Sequence, residues 1–233
     1  MNRPIRQILM IGAGGLGCAT VLALLAQPKI SGLDRIILVD PDQVELSNLH
    51  RQVLFTMEDL GADKVQCVAQ QVEKSRADWQ VVPVVRRLQG VGDIVAMADG
   101  CELIVDGSDN VTTRFEANDA ALQRSIPLVH GAAIGFRGQL MTLLPGQSAC
   151  LRCLFYGPPA TEGASCRSDG VLGPLVGEVG WLMAMEVVKI LTQQGAPLLN
   201  RLLTIDGQKQ RRHTVPLQKR AGCTGCGNLG LLA

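Results

Sequence analysis

The chain has almost no net charge, no long apolar run and no secretory-signal pattern in its first ten residues, and each absence argues against a class of function. Its 22 Lys and Arg offset 21 Asp and Glu to a net charge of +1, so no strong field favours a nucleic acid or a membrane surface as partner. No stretch reaches the roughly 18 apolar residues of a membrane span, and residues 1–10 do not resemble a secretory signal. We therefore expect a cytoplasmic protein.

Internal repeats, low-complexity tracts and linkers are absent as well, and histidine is scarce. A chain of 233 residues with 47% hydrophobic content can bury one large core, so we predict a single domain over residues 1–233, with halves that meet at residue 130. None of the three histidines belongs to a sequence pattern of potential metal ligands. In a reducing compartment, eight cysteines favour metal ligands or reactive thiols, and a disulfide framework is the weaker alternative.

A glycine turn with the pattern Gly12-x-Gly14-x-x-Gly17 lies between an apolar run and a helical segment rich in Ala and Leu. The next apolar run ends on Asp40, where a dinucleotide-binding βαβ unit places an acid. Strands and helices keep alternating as far as residue 130, which predicts a Rossmann-like, mostly parallel α/β sheet with helices on both faces. The predicted strands are 6–11, 35–39, 81–85, 103–106 and 128–130, and the predicted helices are 18–27, 63–74, 91–98 and 112–124.

The pattern changes after residue 131. Strands near 139–144 and 202–205 have no full helix of their own between each strand and the next, which predicts antiparallel additions to the sheet. Segment 156–174 is rich in Gly, Pro, Ser and Thr and is too long for an ordinary connection, so it is either mobile or functional. A long helix is predicted at 176–194.

The amides at the glycine turn form an anion site where a phosphate belongs. Taken alone, this turn is more typical of an NAD- or FAD-binding domain, and a purely structural turn is a further alternative. The polar loop after the next strand favours ATP instead, because fixed cations must neutralise the charge of a triphosphate. The candidates from this pattern are Gly12, Gly14, Gly17, Asp40, Asp42, Ser47, Asn48, Gln52 and the catalytic cations Arg51 and Lys64, which singly would be ordinary solvated charges.

A second polar loop, Asp106-Gly-Ser-Asp109-Asn110, follows another predicted parallel strand. Open α/β sheets bind ligands outside the carboxyl ends of their strands, so Asp109 can reach the same crevice. A carboxylate there can hold Mg²⁺ that bridges phosphate oxygens. Alternatively, Asp109 or Asn110 caps the helix that begins near Thr112, and both roles can hold together.

Two Cys-x-x-Cys pairs, Cys150/Cys153 and Cys223/Cys226, supply four thiolates. Four thiolates complete the tetrahedral shell of Zn²⁺ and leave no position for water or substrate, so we predict a structural zinc knot. Such a knot would tie down the segment 211–233, whose composition promises little burial of its own. Free or redox-active thiols are the alternative.

These motifs together resemble the ThiF/MoeB adenylyltransferases, bacterial relatives of the ubiquitin-activating enzymes, over nearly the whole chain. Within that family the chain is most similar to ThiF, the activator of the sulfur carrier of thiamine biosynthesis, although the stretch Gly131-Ala-Ala-Ile134 is equally similar to MoeB. The resemblance is carried by Gly12-Ala-Gly-Gly-Leu-Gly17, Ser47-Asn-Leu-His-Arg-Gln-Val-Leu-Phe55, Asp106-Gly-Ser-Asp-Asn110, Gly135-Phe-Arg-Gly-Gln-Leu140, Ser165-Cys-Arg-Ser-Asp-Gly-Val-Leu-Gly-Pro174 and the two cysteine pairs.

The resemblance implies ATP-dependent adenylation of the C-terminal glycine of a ubiquitin-like sulfur carrier with a Gly-Gly tail. Residues 1–130 would bind the nucleotide, and residues 131–233 would bind the carrier and zinc. A homodimer is implied, with a cysteine-desulfurase or rhodanese-type sulfur donor as a further partner. It also implies roles for single residues: Asp40 for the ribose hydroxyls, Gly15 and Ser47 to Arg51 for the nucleotide and its phosphates, Lys64 for the phosphates, and Asp109 with Asn110 for Mg-ATP.

Cys166 matches a loop cysteine that ThiF-like proteins carry. Its neighbour Arg167 can lower the pKa of a thiol, so one hypothesis is that Cys166 attacks the adenylate or forms a persulfide link to the carrier. The alternative is a spare thiol. Cys18, Cys67 and Cys101 fall on or beside predicted helices and are interpreted as small core residues.

The match departs from the family ahead of the first strand, where relatives carry an Arg-x-x-Arg-Gln segment whose arginine reaches the partner subunit's ATP. Arg3-Pro-Ile-Arg6-Gln7 resembles that segment, but Gln7 directly precedes the strand, so we assign neither Arg3 nor Arg6 to the site. Arg137 is the candidate substitute. Carrier adenylation for molybdopterin or another sulfur metabolite, an NAD-linked oxidoreductase and a non-catalytic carrier-binding homologue are the alternative functions.

Overall fold

A single sheet organises residues 6–27, 33–158 and 170–227, the part of the chain that this computed structural model describes. Within those residues, eight strands pair edge to edge. The strands are β1 (Gln7–Ile11), β2 (Arg35–Val39), β3 (Gln80–Val84), β4 (Cys101–Asp106), β5 (Leu128–Ile134), β6 (Arg137–Leu143), β7 (Arg201–Asp206) and β8 (Arg211–Pro216). The helices are α1 (Gly15–Leu25), α2 (Lys64–Ser75), α3 (Val91–Met97), α4 (Val111–Arg124), the short α5 (Leu151–Leu154) and α6 (Gly173–Thr192).

The strand order is β3-β2-β1-β4-β5-β6-β7-β8. The first five strands in this order run parallel, and β6, β7 and β8 are each antiparallel to the strand before them. Because β2 and β4 flank β1 on opposite sides, the order reverses at β1, and a crevice opens there at the carboxyl ends of the strands. The predicted parallel sheet with antiparallel C-terminal strands is confirmed.

Helices cover both faces of the sheet. The core on one face is built by α1, α2 and α6, and the core on the other is built by α3 and α4 together with Cys150, Cys223 and Cys226. The helix pair α1 and α6 packs tightly, since a Cβ on Gly180 would stand only 2.5 Å from the Cβ of Ala19. Burial on both faces explains why the parallel strands read as continuous apolar runs in the sequence.

Strand β8 is the element that sequence patterning missed. All of its residues, Arg211–Pro216, are exposed at the edge of the sheet, so the strand carries no alternation of apolar and polar residues. Pairing with β7 alone makes it a strand. Its exposure agrees with the prediction that this stretch buries little.

Arg6 is engaged inside the fold. Its guanidinium donates to the carboxylate of Glu102 on β4 at 2.8 Å from Nε, and to the carbonyl of Leu191 near the end of α6 at 2.9 Å. This agrees with leaving Arg6 out of the site. Among the described helices, none combines the length and the apolar character that crossing a membrane requires.

Candidate functional site

The glycine turn brings the ends of β1 and β4 into contact. Gly12 has a φ of +96°, and a Cβ at that position would stand 3.0 Å from the carbonyl oxygen of Gly107. A Cβ on Gly17 would overlap the carbonyl oxygen of Gly12, so helix α1 can start this close to the turn only with glycine there. The turn and the loop after β4 therefore form one continuous wall.

Charged groups behind the turn are buried and connected. Asp40 accepts the N–H of Ala13 at 2.7 Å and the N–H of Asp42 at 2.8 Å. Lys64, only 4% exposed, donates from Nζ to a carboxylate oxygen of Asp42 at 3.0 Å. Burial raises the pKa of Asp40 above its ordinary value, against the opposing charge of Lys64 and the two amides. A fixed cation thus stands behind a cradle of backbone amides.

The loop after β2 lies against the start of α1. Arg51 donates from Nη2 to the side-chain oxygen of Asn48 at 2.6 Å, and a Cβ on Gly15 would stand 3.3 Å from the backbone oxygen of Arg51. Ser47 donates to Glu45 at 3.2 Å and is exposed. Arg51, with Asn48 bonded to it, therefore lies beside the glycine turn.

Gln52 is 3% exposed, and among the described residues its Oε1 has no hydrogen-bond partner. Its Nε2 lies 3.8 Å from the point where a Cβ on Gly14 would stand. The Oγ of Ser108, also buried, lacks a partner in the described part of the chain too. Buried polar atoms normally find partners, so two orphans beside an amide cradle and a buried cation fit a polar ligand such as a nucleotide.

The loop after β4 places Asp109 and Asn110 at the start of α4, where both are exposed. Asn110 caps the helix, since its side-chain oxygen accepts the N–H of Thr113 at 3.1 Å. The capping alternative thus describes Asn110 in this structure, and the Asp109 carboxylate faces solvent. A Mg²⁺ ion bound with ATP needs only one or two protein carboxylates, so a single acid at this edge suits such a site.

The four predicted metal ligands form a compact cluster. The sulfur atoms of Cys150 and Cys223 are 3.7 Å apart, those of Cys153 and Cys226 are 3.4 Å apart, and all four lie within 4.8 Å of one another. Tetrahedral Zn²⁺ with Zn–S bonds of about 2.3 Å separates its sulfurs by about 3.8 Å. The cluster therefore has the donor set and the spacing of a closed zinc site.

Comparisons with known proteins agree with this geometry. The model of the ThiF family matches residues 5–226. The chain belongs to the ThiF family. It is 38% identical over 224 residues to the sulfur carrier protein ThiS adenylyltransferase of Escherichia coli (strain K12), covering 95% of this chain and 86% of the relative. It is 39% identical over 230 residues to the SAMP-activating enzyme E1 of Haloferax volcanii, covering 97% and 82%.

Among solved structures, Escherichia coli MccB in complex with MccA-N7isoASN superposes with a TM-score of 0.83 at 21% identity, covering 96% of this chain and 67% of that one. This likeness concerns the fold. The resemblance to the ThiF family drawn from the sequence motifs is confirmed by the family model and the relatives.

In this ThiF-family chain, backbone donors and helix α4 hold the cysteine cluster in place. Cys153 Sγ accepts the N–H of Arg220 at 3.4 Å, and Arg152, on the short helix α5, pairs with Asp119 of α4 at 2.7 Å. Burial raises the pKa of the Cys223 thiol, but backbone N–H groups and neighbouring thiols outweigh burial and lower it to about 6. A lowered thiol pKa favours the thiolate form that binds a metal.

Of the remaining cysteines, three are core residues and the fourth lies outside the described residues. Cys18, Cys67 and Cys101 are buried, as interpreted, and burial raises the pKa of Cys18 to about 12. Such thiols are unreactive. Cys166, the candidate nucleophile, lies outside the described residues.

One buried pair in this family member escaped the sequence patterns. His130 on β5 lies 2.8 Å from Asp106 on β4, measured from Nδ1 to Oδ2. Both end predicted strands, but 24 residues separate them, so only the pairing of β4 with β5 brings them together. The signal that could have found them is a titratable residue at the carboxyl end of each of two consecutive parallel strands.

Proposed function

We propose that this chain is an ATP-dependent adenylyltransferase that activates the C-terminal glycine of a ubiquitin-like sulfur carrier protein. Membership of the ThiF family and the named activities of two relatives that align over nearly the whole chain support this function. The observation that carries it is the buried Lys64 behind an amide cradle that is flanked by orphaned polar atoms. A hydride-transfer site has no comparable need for such a cation.

In the proposed reaction, the carrier's terminal carboxylate attacks the α-phosphorus of ATP in line. The bond from that phosphorus to the bridging oxygen breaks, pyrophosphate leaves, and an acyl-adenylate remains for a sulfur nucleophile to displace. The attacking carboxylate is already ionised, so no side-chain base is needed. Placement is the main contribution of the protein, and well-oriented reactants can lower a barrier by about 7–11 kcal/mol.

Each predicted residue has a task in this scheme. The amides from Gly14 to Gly17, at the start of α1, hold phosphate, Lys64 opposes the charge that builds there, and Arg51 adds a guanidinium fork. Each carboxylate oxygen of Asp40 accepts one backbone N–H and has a further lone pair that can accept a ribose hydroxyl. Mg²⁺ bound with ATP would be held by Asp109, beside Asn110, and would supply further charge neutralisation.

We further propose that the cysteine cluster holds structural Zn²⁺ and that residues 131–233 bind the carrier. A ThiS-like carrier is the first choice, because one relative is named for that activity. Carriers of other sulfur pathways are the alternative, since a second relative is a SAMP-activating enzyme. A homodimer, a cytoplasmic location, a cysteine-desulfurase or rhodanese-type donor and a nucleophilic role for Cys166 complete the proposal.

The test is ATP-pyrophosphate exchange with purified protein, Mg²⁺ and a panel of carriers that end in Gly-Gly. We expect exchange with one carrier and a loss of at least about 100-fold in Lys64→Ala, because a preorganised charge next to the reacting phosphate disappears. Lys64→Arg, which keeps the charge, should retain more activity than Lys64→Ala.

Lys74→Ala is the matched control, since Lys74 is exposed in the last turn of α2, the helix that Lys64 begins, and should exchange normally. No exchange with any carrier, from protein that is folded and carries its metal, would refute the catalytic proposal. Carrier binding without exchange would then identify a non-catalytic homologue.

A further inference from the structure

Asp106 and His130 are buried titratable residues that the proposed reaction leaves unused. Asp106 is 0% exposed and His130 is 4% exposed, and the two residues lie opposite each other on the neighbouring parallel strands β4 and β5. The hydrogen bond between them, 2.8 Å from Nδ1 to Oδ2, occupies one oxygen of the carboxylate. Asp106 is the last residue of β4, and His130 lies beside it within β5, so the pair lies below the loop that follows β4 at the edge of the crevice.

The second carboxylate oxygen of Asp106 holds the loop above it. It accepts the N–H of Ser108 at 3.0 Å, and the guanidinium of Arg114 donates to the carbonyl of the same Ser108 at 3.2 and 3.3 Å. Ser108 is therefore fixed by its N–H from below and by its carbonyl from helix α4. Asp109 is the next residue, so the hydrogen bonds of Ser108 also restrict the position of the Asp109 backbone.

The same loop supports the glycine turn. The N–H of Gly107 donates to the carbonyl of Ile11 at 2.9 Å, and Gly107 is the residue against which Gly12 packs. A shift of the Asp106 carboxylate would therefore disturb both the loop after β4 and the glycine turn, which together form one wall of the crevice. His130 is the side chain bonded to the other oxygen of this carboxylate.

Electrostatics agree with an ionised Asp106. Burial raises the pKa of Asp106, but the hydrogen bond from His130 and the nearby charge of Arg114 act against it, and the pKa lies below its ordinary value. An ionised carboxylate has no proton to donate, so the hydrogen between the two side chains belongs to Nδ1 of His130. His130 is thus a donor with a defined ring orientation.

We propose that His130 is a positioning residue, which orients Asp106 and through it the loop 107–110, and so sets the affinity for Mg-ATP without touching the nucleotide. The inference rests on the proposed function, because it assigns that loop to the Mg-ATP site. It requires that the donor at the Nδ1 position matter more than the bulk of the ring.

A pair of variants with the same branching isolates that donor. Asparagine places an N–H where His130 has Nδ1, and leucine fills a similar shape without one. We expect His130→Leu to raise the KM for ATP about tenfold, with kcat per folded molecule changed less than about twofold, since a hydrogen bond to a charged group is lost. His130→Asn should restore the KM to within about twofold of the wild type.

Arg114→Ala is the second variant, for the case that His130→Leu does not fold. Arg114 is partly exposed, so this change releases Ser108 from the other side without leaving a buried charge unpaired. It should also raise the KM for ATP and leave kcat nearly unchanged. An unchanged KM in Arg114→Ala, or in His130→Leu, overturns the inference.

Two measurements on the wild-type chain and the variants separate this inference from the proposed function. Titration with Mg-ATP in the absence of carrier should show the same loss of affinity, and hydrogen exchange should show faster exchange of the Ser108 amide in His130→Leu. Unchanged exchange at Ser108 overturns the inference. Mg-ATP binding without pyrophosphate exchange refutes only the proposed reaction, whereas a wild-type chain that binds no Mg-ATP refutes both.

Discussion

The glycine-turn crevice and the cysteine cluster are formed by different kinds of chemical group. The crevice uses backbone amides, a buried lysine and side chains from several loops, and it keeps Asp109 exposed and the Oε1 of Gln52 without a partner among the described residues. The cluster uses four thiols within 4.8 Å of one another, three of them on buried cysteines. The crevice is open and has hydrogen-bonding groups without partners among the described residues, whereas the cluster has the four sulfur ligands of a closed metal site.

This difference assigns a role to each region. A closed tetrahedral shell has no position for substrate, so its contribution is to hold chain segments together. An open crevice with preorganised charge has unmet hydrogen-bonding capacity and is suited to bind and activate a ligand. Changes in the cluster should therefore lower stability, whereas changes in the crevice should lower activity.

The largest effect should come from opening the cysteine shell. We expect Cys223→Ser to lose the single bound zinc ion and to lower the unfolding midpoint by about 10 °C or more, because metal binding is linked to folding. Metal content and thermal unfolding measure both results. Cys67→Ser, a buried thiol on α2 outside the cluster, is the control and should keep its metal.

Equal metal content in Cys223→Ser and the wild type would contradict a structural zinc site. A normal unfolding midpoint in the metal-free variant would instead show that the segment after β8 is held without the metal.

Arg51→Ala should change the free energy of unfolding less than Cys223→Ser does, but it should greatly lower the rate of pyrophosphate exchange. In the proposed function the guanidinium of Arg51 faces the phosphates of ATP, so its removal should lower pyrophosphate exchange about 10–100-fold. Because Arg51 is bonded to Asn48 in a partly exposed loop, the unfolding midpoint should move by less than about 2 °C. Arg124→Ala is the control, since Arg124 ends α4 and pairs with the exposed Asp99 ahead of β4, at the opposite edge of the sheet. A loss of stability in step with activity would break the comparison between the two regions.

The smallest expected effect is on how the free energy of unfolding changes at acidic pH. The folded pKa of Asp106 lies below its ordinary value, so its ionised form contributes stability that is present above about pH 4 and is lost as pH falls through the folded pKa. Asp40 has a raised folded pKa, so its protonation on acidification favours the folded state instead.

Urea unfolding between about pH 7 and pH 3 measures this difference. Asp106→Asn removes the titrating group, and its stability should therefore fall less on acidification than that of the wild type. Parallel pH profiles for the two chains would contradict the assignment.

Much of the fold followed from local patterns. Buried parallel strands are apolar throughout, so β1, β2 and β4 stand out in the sequence, and the glycine spacing marks the turn that β1 leads into. Strand β8 had no such signal, because it buries no side chain and exists only through its pairing with β7. The division into a nucleotide half and a carrier half and the roles of the site residues stay predictions.

By itself, the sequence determined the elements whose cause is local: the glycine turn, the apolar strands and the two Cys-x-x-Cys pairs. Tertiary structure alone decided which distant groups meet. Cys150 lies 3.7 Å from Cys223, and Asp106 lies 2.8 Å from His130, across separations of 73 and 24 residues. The physical reason is that these contacts depend on strand order and on helix packing, which no short stretch of sequence encodes.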